Sequence, residues 1–164
     1  MNASAALLAV VLLAGCSASR IEHGVFYSPK GYHVSLPGQG WAVKPGGAAE
    51  LELQRTNAEG GMLADATCDG KTAGRPLAVL ARHLTFGLGH RETIESVQNE
   101  AGGLQAERTV VRGTVDGSDV MVEAVVLKDE RCVYDFVYVA PANAFEAGRA
   151  DFQALVESFG GATR

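Results

Sequence analysis

The chain has no surplus of basic residues: 14 Lys and Arg stand against 19 Asp and Glu in 164 positions, a formal charge of −5 with His neutral. That excludes a non-specific nucleic-acid binder, whose affinity comes from neutralising phosphates and releasing their counterions. No apolar run is long enough to cross a bilayer. The run Ala5–Ala14 has ten residues and would rise about 15 Å as a helix, half of the ~30 Å hydrocarbon core. Cysteine is scarce, three in the chain and none as Cys-x-x-Cys, so a thioredoxin-like redox centre is not encoded. His23, His33, His83 and His90 form no His-Glu-x-x-His and stand at no zinc spacing with Cys. Gly-x-Ser-x-Gly is absent, and Gly60-Gly61 and Gly102-Gly103 lack the Lys and Ser/Thr of a phosphate loop. Asp69-Gly70-Lys71 starts like a calcium loop but lacks the alternating acids and the distal Glu. No catalytic set, metal site or cofactor is therefore expected.

What the chain does have is glycine, 20 residues without a collagen period, which reads as many turns between short strands. The length suits one domain that buries ~68–70% of its unfolded surface.

The N-terminal run has the length of a signal-peptide core. It ends in Leu13-Ala14-Gly15-Cys16, which resembles a bacterial lipobox. The resemblance implies a signal peptide over residues 1–15, cleavage before Cys16, and a diacylglyceryl group on that sulfur. Two or three acyl chains at ~0.8 kcal/mol per buried CH₂ make such an attachment effectively permanent. Membrane lipid, reached through acylated Cys16, is then one partner. A buried soluble helix and an ordinary signal sequence cut at a small-residue site are the alternatives. Residues 16–25 would follow as a tether, opening with small, polar Ser17-Ala18-Ser19. Ser17 is compatible with transfer to an outer membrane facing a periplasm. Removing Cys16 from the count leaves Cys68 and Cys132 as an even pair. Outside the cytoplasm they are candidates for a disulfide, worth ~4–5 kcal/mol by loop closure; otherwise they are ordinary small buried residues.

In the body, Tyr32, Val34 and Leu36 alternate with His33 and Ser35 as a half-buried strand does. Trp41–Val43, Glu50–Gln54 and Met62–Cys68 read as further strands. A helix starts near Pro76, with Leu77, Leu80, Ala81, Leu84 and Leu88 on one face and Gly87 or Gly89 as the stop. Asp116-Gly117 signals a two-residue hairpin. If Asp129-Glu130 forms a second one, Val111 faces Val122 and Val125 faces Tyr134. The strand Cys132–Val139 is apolar on both faces, which implies a central strand covered on both sides. Asn143 with Glu146 forms a capping-box pattern ahead of a closing helix whose stripe is Phe145, Phe152, Leu155, Val156 and Phe159. Together these give an α+β fold, an antiparallel sheet with helices packed on both faces.

Two carboxylates interrupt apolar strand faces: Glu123 and Asp135, on opposite sides of the sheet. Each must be paired or neutralised if buried, with Arg82 or Arg112 as conceivable partners. The functional reading makes Glu123 and Asp135 polar anchors of a ligand or partner contact, with Tyr134 or Tyr138 beside Glu123.

Gly31-Tyr32-His33-Val34-Ser35-Leu36-Pro37 followed by Trp41, and the ending Phe152-Gln153-Ala154-Leu155-Val156-Glu157-Ser158-Phe159, are similar to the opening and closing segments of PsbP-like proteins. That family includes the extrinsic PsbP subunit of photosystem II, a nuclear-import factor that binds a small GTPase, and many bacterial lipoproteins. The resemblance covers residues 26–160 as one domain, leaving 161–164 as a tail, and implies an α/β/α sandwich acting as a non-enzymatic module with a protein partner. A periplasmic small-ligand binder, using a cleft between helix and sheet, is the second reading.

Overall fold

The computed structural model describes residues 18–161. Cys16, the signal-like segment before it and most of the expected tail lie outside the described residues. Seven antiparallel strands form the main sheet. In spatial order they are β4 (Trp41–Val43), β5 (Leu51–Arg55), β6 (Gly61–Thr67), β10 (Val133–Pro141), β9 (Ser118–Lys128), β8 (Leu104–Val115) and β7 (Gly89–Ala101). A second, four-stranded sheet joins β1 (Arg20–Glu22), β2 (Val25–Tyr27) and β3 (Tyr32–Ser35) to β11 (Gly160–Gly161). Helices α1 (Leu77–His83) and α2 (Glu146–Glu157) pack on opposite faces of the main sheet. The expected α+β sandwich with helices on both faces is therefore the observed fold, and the small second sheet is an addition to it.

The first hairpin forms as its sequence dictates. Asp116 and Gly117 take φ of 50° and 82°, and Val111 pairs with Val122. The second turn is centred one residue later than expected. The Asp129 carboxylate accepts hydrogen bonds from the backbone N–H groups of Arg131 and Cys132, both at 2.7 Å. The turn therefore falls on Glu130-Arg131, and the register moves by two: Tyr134 meets Leu127, and Val125 meets Phe136. A shift of two keeps every side chain on its own face, so the division of β9 and β10 into two faces survives.

On the α2 face, Tyr134, Phe136 and Tyr138 continue across the strands into Leu53, Met62, Ala64, Val125 and Leu127. Phe152, Leu155 and Val156 of α2 close over them, together with Phe145, Phe159 and the small sheet's Phe26, Tyr32 and Val34. Each such side chain contributes ~1.5–3 kcal/mol by leaving water. α2 starts at Glu146, with Phe145 before it and no side-chain cap, so the Asn143 capping box does not form. Gly148 lets the helix approach: a Cβ there would lie 2.6 Å from the Tyr138 hydroxyl.

The opposite face is covered only in part. α1 ends at His83, ahead of Gly87, and buries Val126 and Val133 beneath Leu77, Leu80 and Ala81. Leu84 caps the helix and is half-buried, while Leu88 lies outside it, over Gly113. Asp135, Val137 and Val139 stay half-buried, so β10 is central in the sheet without being covered along its whole length. The strand β7 was not legible at all. Its 13 residues are nearly all exposed, and it exists by pairing with β8 through two register shifts.

Candidate functional site

The broken alternation of β9 leads to a charged cluster. One register row runs Tyr138, Glu123, Val110, Glu95 across β10, β9, β8 and β7, and Arg108 stands one step along on β8. α2 lies over this row and lowers Arg149 and Gln153, one turn apart, toward it. Glu123 is fully buried. It accepts hydrogen bonds from Arg149 Nε at 2.8 Å, Arg108 Nη1 at 3.3 Å and Gln153 Nε2 at 3.3 Å. Glu95 binds the same two guanidinium groups, Arg149 at 3.4 Å and Arg108 more closely, and Glu146 meets Arg149 at 3.3 Å. Burial pulls the Arg149 guanidinium down, but its hydrogen bond to Glu123 and the charges of Glu123, Glu146 and Glu95 leave it above its ordinary value.

A buried carboxylate is tolerated only when its charge and lone pairs are answered, and here they are. The partners are Arg108 and Arg149, not Arg82 or Arg112; Arg112 instead pairs with Asp119 at the surface. Arg108 carried the same signal as Glu123, a charge on an apolar strand face between Ala106 and Val110. Arg149 carried none, because a helix surface accepts arginine freely. Beside the cluster lies a cleft of about 440 Å³ whose walls include Arg108, Glu123, Gln153, Phe152 and Asn99.

The other sequence-derived candidates go elsewhere. Tyr138 is the cross-strand neighbour of Glu123, yet its hydroxyl donates to the Phe145 carbonyl at 2.9 Å. The Tyr134 hydroxyl donates to Asp129 Oδ2 at 2.9 Å, and burial with that carboxylate pushes it up to about 12. Asp135 lies on the opposite face, paired in register with Asp65. Burial, then the Asp65 charge, pushes its carboxyl up to about 6. The structure thus brings Glu123 and Tyr138 together and leaves Tyr134 and Asp135 apart from them.

The part of the sheet that α1 leaves open forms a groove of about 520 Å³. Its floor is apolar, built from Leu63, Val137, Val139, Val120 and Pro141. Its rims are charged: Lys44 with Glu52 at 3.7 Å on one side, and Asp119 with Arg112 on the other. No signal in the sequence separated this half of β10 from the half under α1, since both read as valine on one face.

Cys68 and Cys132 extend the β6–β10 ladder by one position, with their sulfurs 2.03 Å apart, disulfide distance. Among the described residues, no group of three or more His, Cys, Asp and Glu is placed to hold a metal ion. No helix among them is long and apolar enough to cross a membrane.

No protein-family model matches the chain, and no curated protein matches its sequence. Solved structures do resemble it. A protein from Bacteroides thetaiotaomicron aligns over 88% of this chain at 10% identity with a TM-score of 0.63; this chain spans half of that one's length. LpqN of Mycobacterium tuberculosis, described as involved in cell envelope biogenesis, aligns over 87% of this chain and 89% of its own at 13% identity and a TM-score of 0.65. The cyanobacterial PsbP of Synechocystis aligns over 94% of this chain and 98% of its own at 11% identity and a TM-score of 0.54. At such identities the likeness is one of architecture, and that architecture is the α+β sandwich shared by LpqN and PsbP.

Proposed function

We propose that this protein is a lipid-anchored, extracytoplasmic module that binds a protein partner and performs no catalysis of its own. Residues 1–15 act as the signal peptide, acylated Cys16 as the anchor, residues 16–25 as the tether, with residues 20–22 of it held against the domain as β1, and residues 26–160 as the binding domain. The observation that carries the binding role is the groove over β5, β6, β10 and the start of β9. A soluble domain gains by covering an apolar sheet face, and a concave apolar floor with charged rims is the form of a docking surface. The Glu123 cluster supports a structural role for the opposite face, because its charges answer one another and leave little for a ligand in the adjoining cleft. LpqN's described place in envelope biogenesis accords with an assembly role.

A photo-crosslinking residue at Val139, in membranes, tests the reading. It should yield one discrete protein adduct that Val137→Glu abolishes, while the same probe at exposed Val115 does not. No discrete adduct at Val139 would overturn the docking assignment. The anchor is tested separately: Cys16→Ser should move the protein from the membrane to the soluble fraction, and retention in the membrane would refute it.

A further inference from the structure

A third cavity lies away from both regions, between α1 and the β7–β8 pair. It is small, about 150 Å³. On its inner side stands Glu107, which is only 4% exposed. One oxygen, Oε1, accepts a hydrogen bond from the Ser96 hydroxyl at 2.6 Å. The other, Oε2, is buried with no hydrogen-bond partner among the described residues. Unlike Glu123, this carboxylate pairs with no guanidinium among the described residues. A buried acceptor left unmade is costly, and such groups mark a place for a missing partner.

The rest of the cavity is arranged by polarity. Ser96 and Thr109 stand next to Glu107 on this wall, and Thr93 lies farther along it, opposite Val111. At the outer side are two exposed arginines, Arg82 on α1 and Arg91 on β7. Arg82 makes no ion pair among the described residues. The Arg91 guanidinium lies 5.3 Å above the Phe86 ring, with one nitrogen donating to Thr85 Oγ1 at 3.4 Å. The cavity therefore has one buried negative group with hydroxyls at its floor and two positive groups at its mouth.

We propose that this cavity binds a small zwitterion of the free amino-acid class. Its ammonium group enters to the Glu107 carboxylate and the neighbouring Thr109 hydroxyl, and its carboxylate is held by Arg82 and Arg91. An ammonium supplies three donors and no acceptor, which suits a carboxylate ringed by hydroxyls. A carboxylate suits the planar fork of arginine. The size agrees: the volume equals about five waters at ~30 Å³ each, and glycine has five non-hydrogen atoms. A bare cation is disfavoured by the two arginines, and a bare anion by Glu107.

The test is titration of the full-length chain with glycine, followed by amide chemical shifts, with acetate and methylammonium as half-ligands. Glycine should shift the amides of Thr85, Ser96, Glu107 and Thr109 saturably, and each half-ligand should bind at least tenfold more weakly. Glu107→Gln should weaken glycine binding by at least tenfold. Ala78→Leu, which adds bulk to the cavity wall from an exposed helix position, should weaken it as much without touching a charge. Arg82→Gln should weaken glycine while leaving methylammonium unchanged. Absence of saturable glycine shifts in the folded parent chain would overturn the proposal. Equal binding of either half-ligand, or glycine binding that survives Ala78→Leu, would also overturn it.

Discussion

Asp135 offers a quantitative test of how the open sheet face is built. Its carboxyl faces that of Asp65 across β6 and β10, with Val126 on its other flank. Lys30 lies 3.5 Å from Asp65. Burial and the Asp65 charge push the Asp135 carboxyl up to about 6, against an ordinary value of ~3.9, and about two units correspond to roughly 3 kcal/mol. In the unfolded chain Asp135 loses its proton near pH 4, whereas in the folded chain it holds it to about pH 6. The folded state therefore binds more protons in between, and stability falls as pH rises through that window. Asp135→Asn removes the penalty and keeps the shape. Urea unfolding of both proteins should show the Asn variant more stable by about 3 kcal/mol at pH 7.5 and by about half as much at pH 5. Thermal midpoints should differ by roughly 2–4 °C for each kcal/mol. Equal stability at pH 7.5, or a difference that does not change with pH, would refute the assignment of a neutralised, desolvated Asp135.

Other perturbations address the opposite face and its cross-link. Glu123→Ala leaves Arg108 and Arg149 without their buried partner and should cost about 3–5 kcal/mol in urea unfolding; Glu123→Gln, which keeps one acceptor oxygen for one arginine but turns an NH₂ toward the other, should cost less than this truncation. Gly148→Ala places a methyl group against the Tyr138 hydroxyl and should cost about 1–3 kcal/mol, with a change in the fluorescence of the single tryptophan, since Trp41 packs edge-on against Tyr138 and donates to Asp151 at 2.8 Å. Reduction of the Cys68–Cys132 pair, 64 residues apart in sequence, should lower stability by about 4–5 kcal/mol through the longer free loop of the unfolded chain. Retained stability in dithiothreitol would contradict it.

What the sequence made legible was what local chemistry decides alone. Asp116-Gly117 set its hairpin because only residues tolerant of positive φ turn there. The stripe from Phe145 to Phe159 located α2 because its spacing repeats at the helical period. Glu123 was conspicuous because charge on an apolar strand is rare. The illegible parts depend on partners distant in the chain. Strand β7 has no apolar face to announce it and is held by pairing with β8. The turn at Glu130-Arg131 was misplaced by one because Asp129 accepts backbone hydrogens from two residues ahead, which alternation does not encode. Arg149 comes to Glu123 from 26 residues downstream. Val133 and Val139 look alike in sequence, and only the short length of α1 makes one buried and the other part of a groove floor.

The strand β1 gives the domain an extensible lead. Its three residues are all exposed, and it is joined to the body through the pairs Arg20–Tyr27, Ile21–Phe26 and Glu22–Val25. Tension arriving from the N-terminal side loads the Arg20–Tyr27 pair first, then the next, so the strand unzips one rung at a time instead of shearing as a unit. Freeing residues 20–24 pays out about 17 Å of chain at ~3.3–3.6 Å per residue, while Phe26 and everything packed on it stay in place. A domain held by this end gains added reach under load without unfolding.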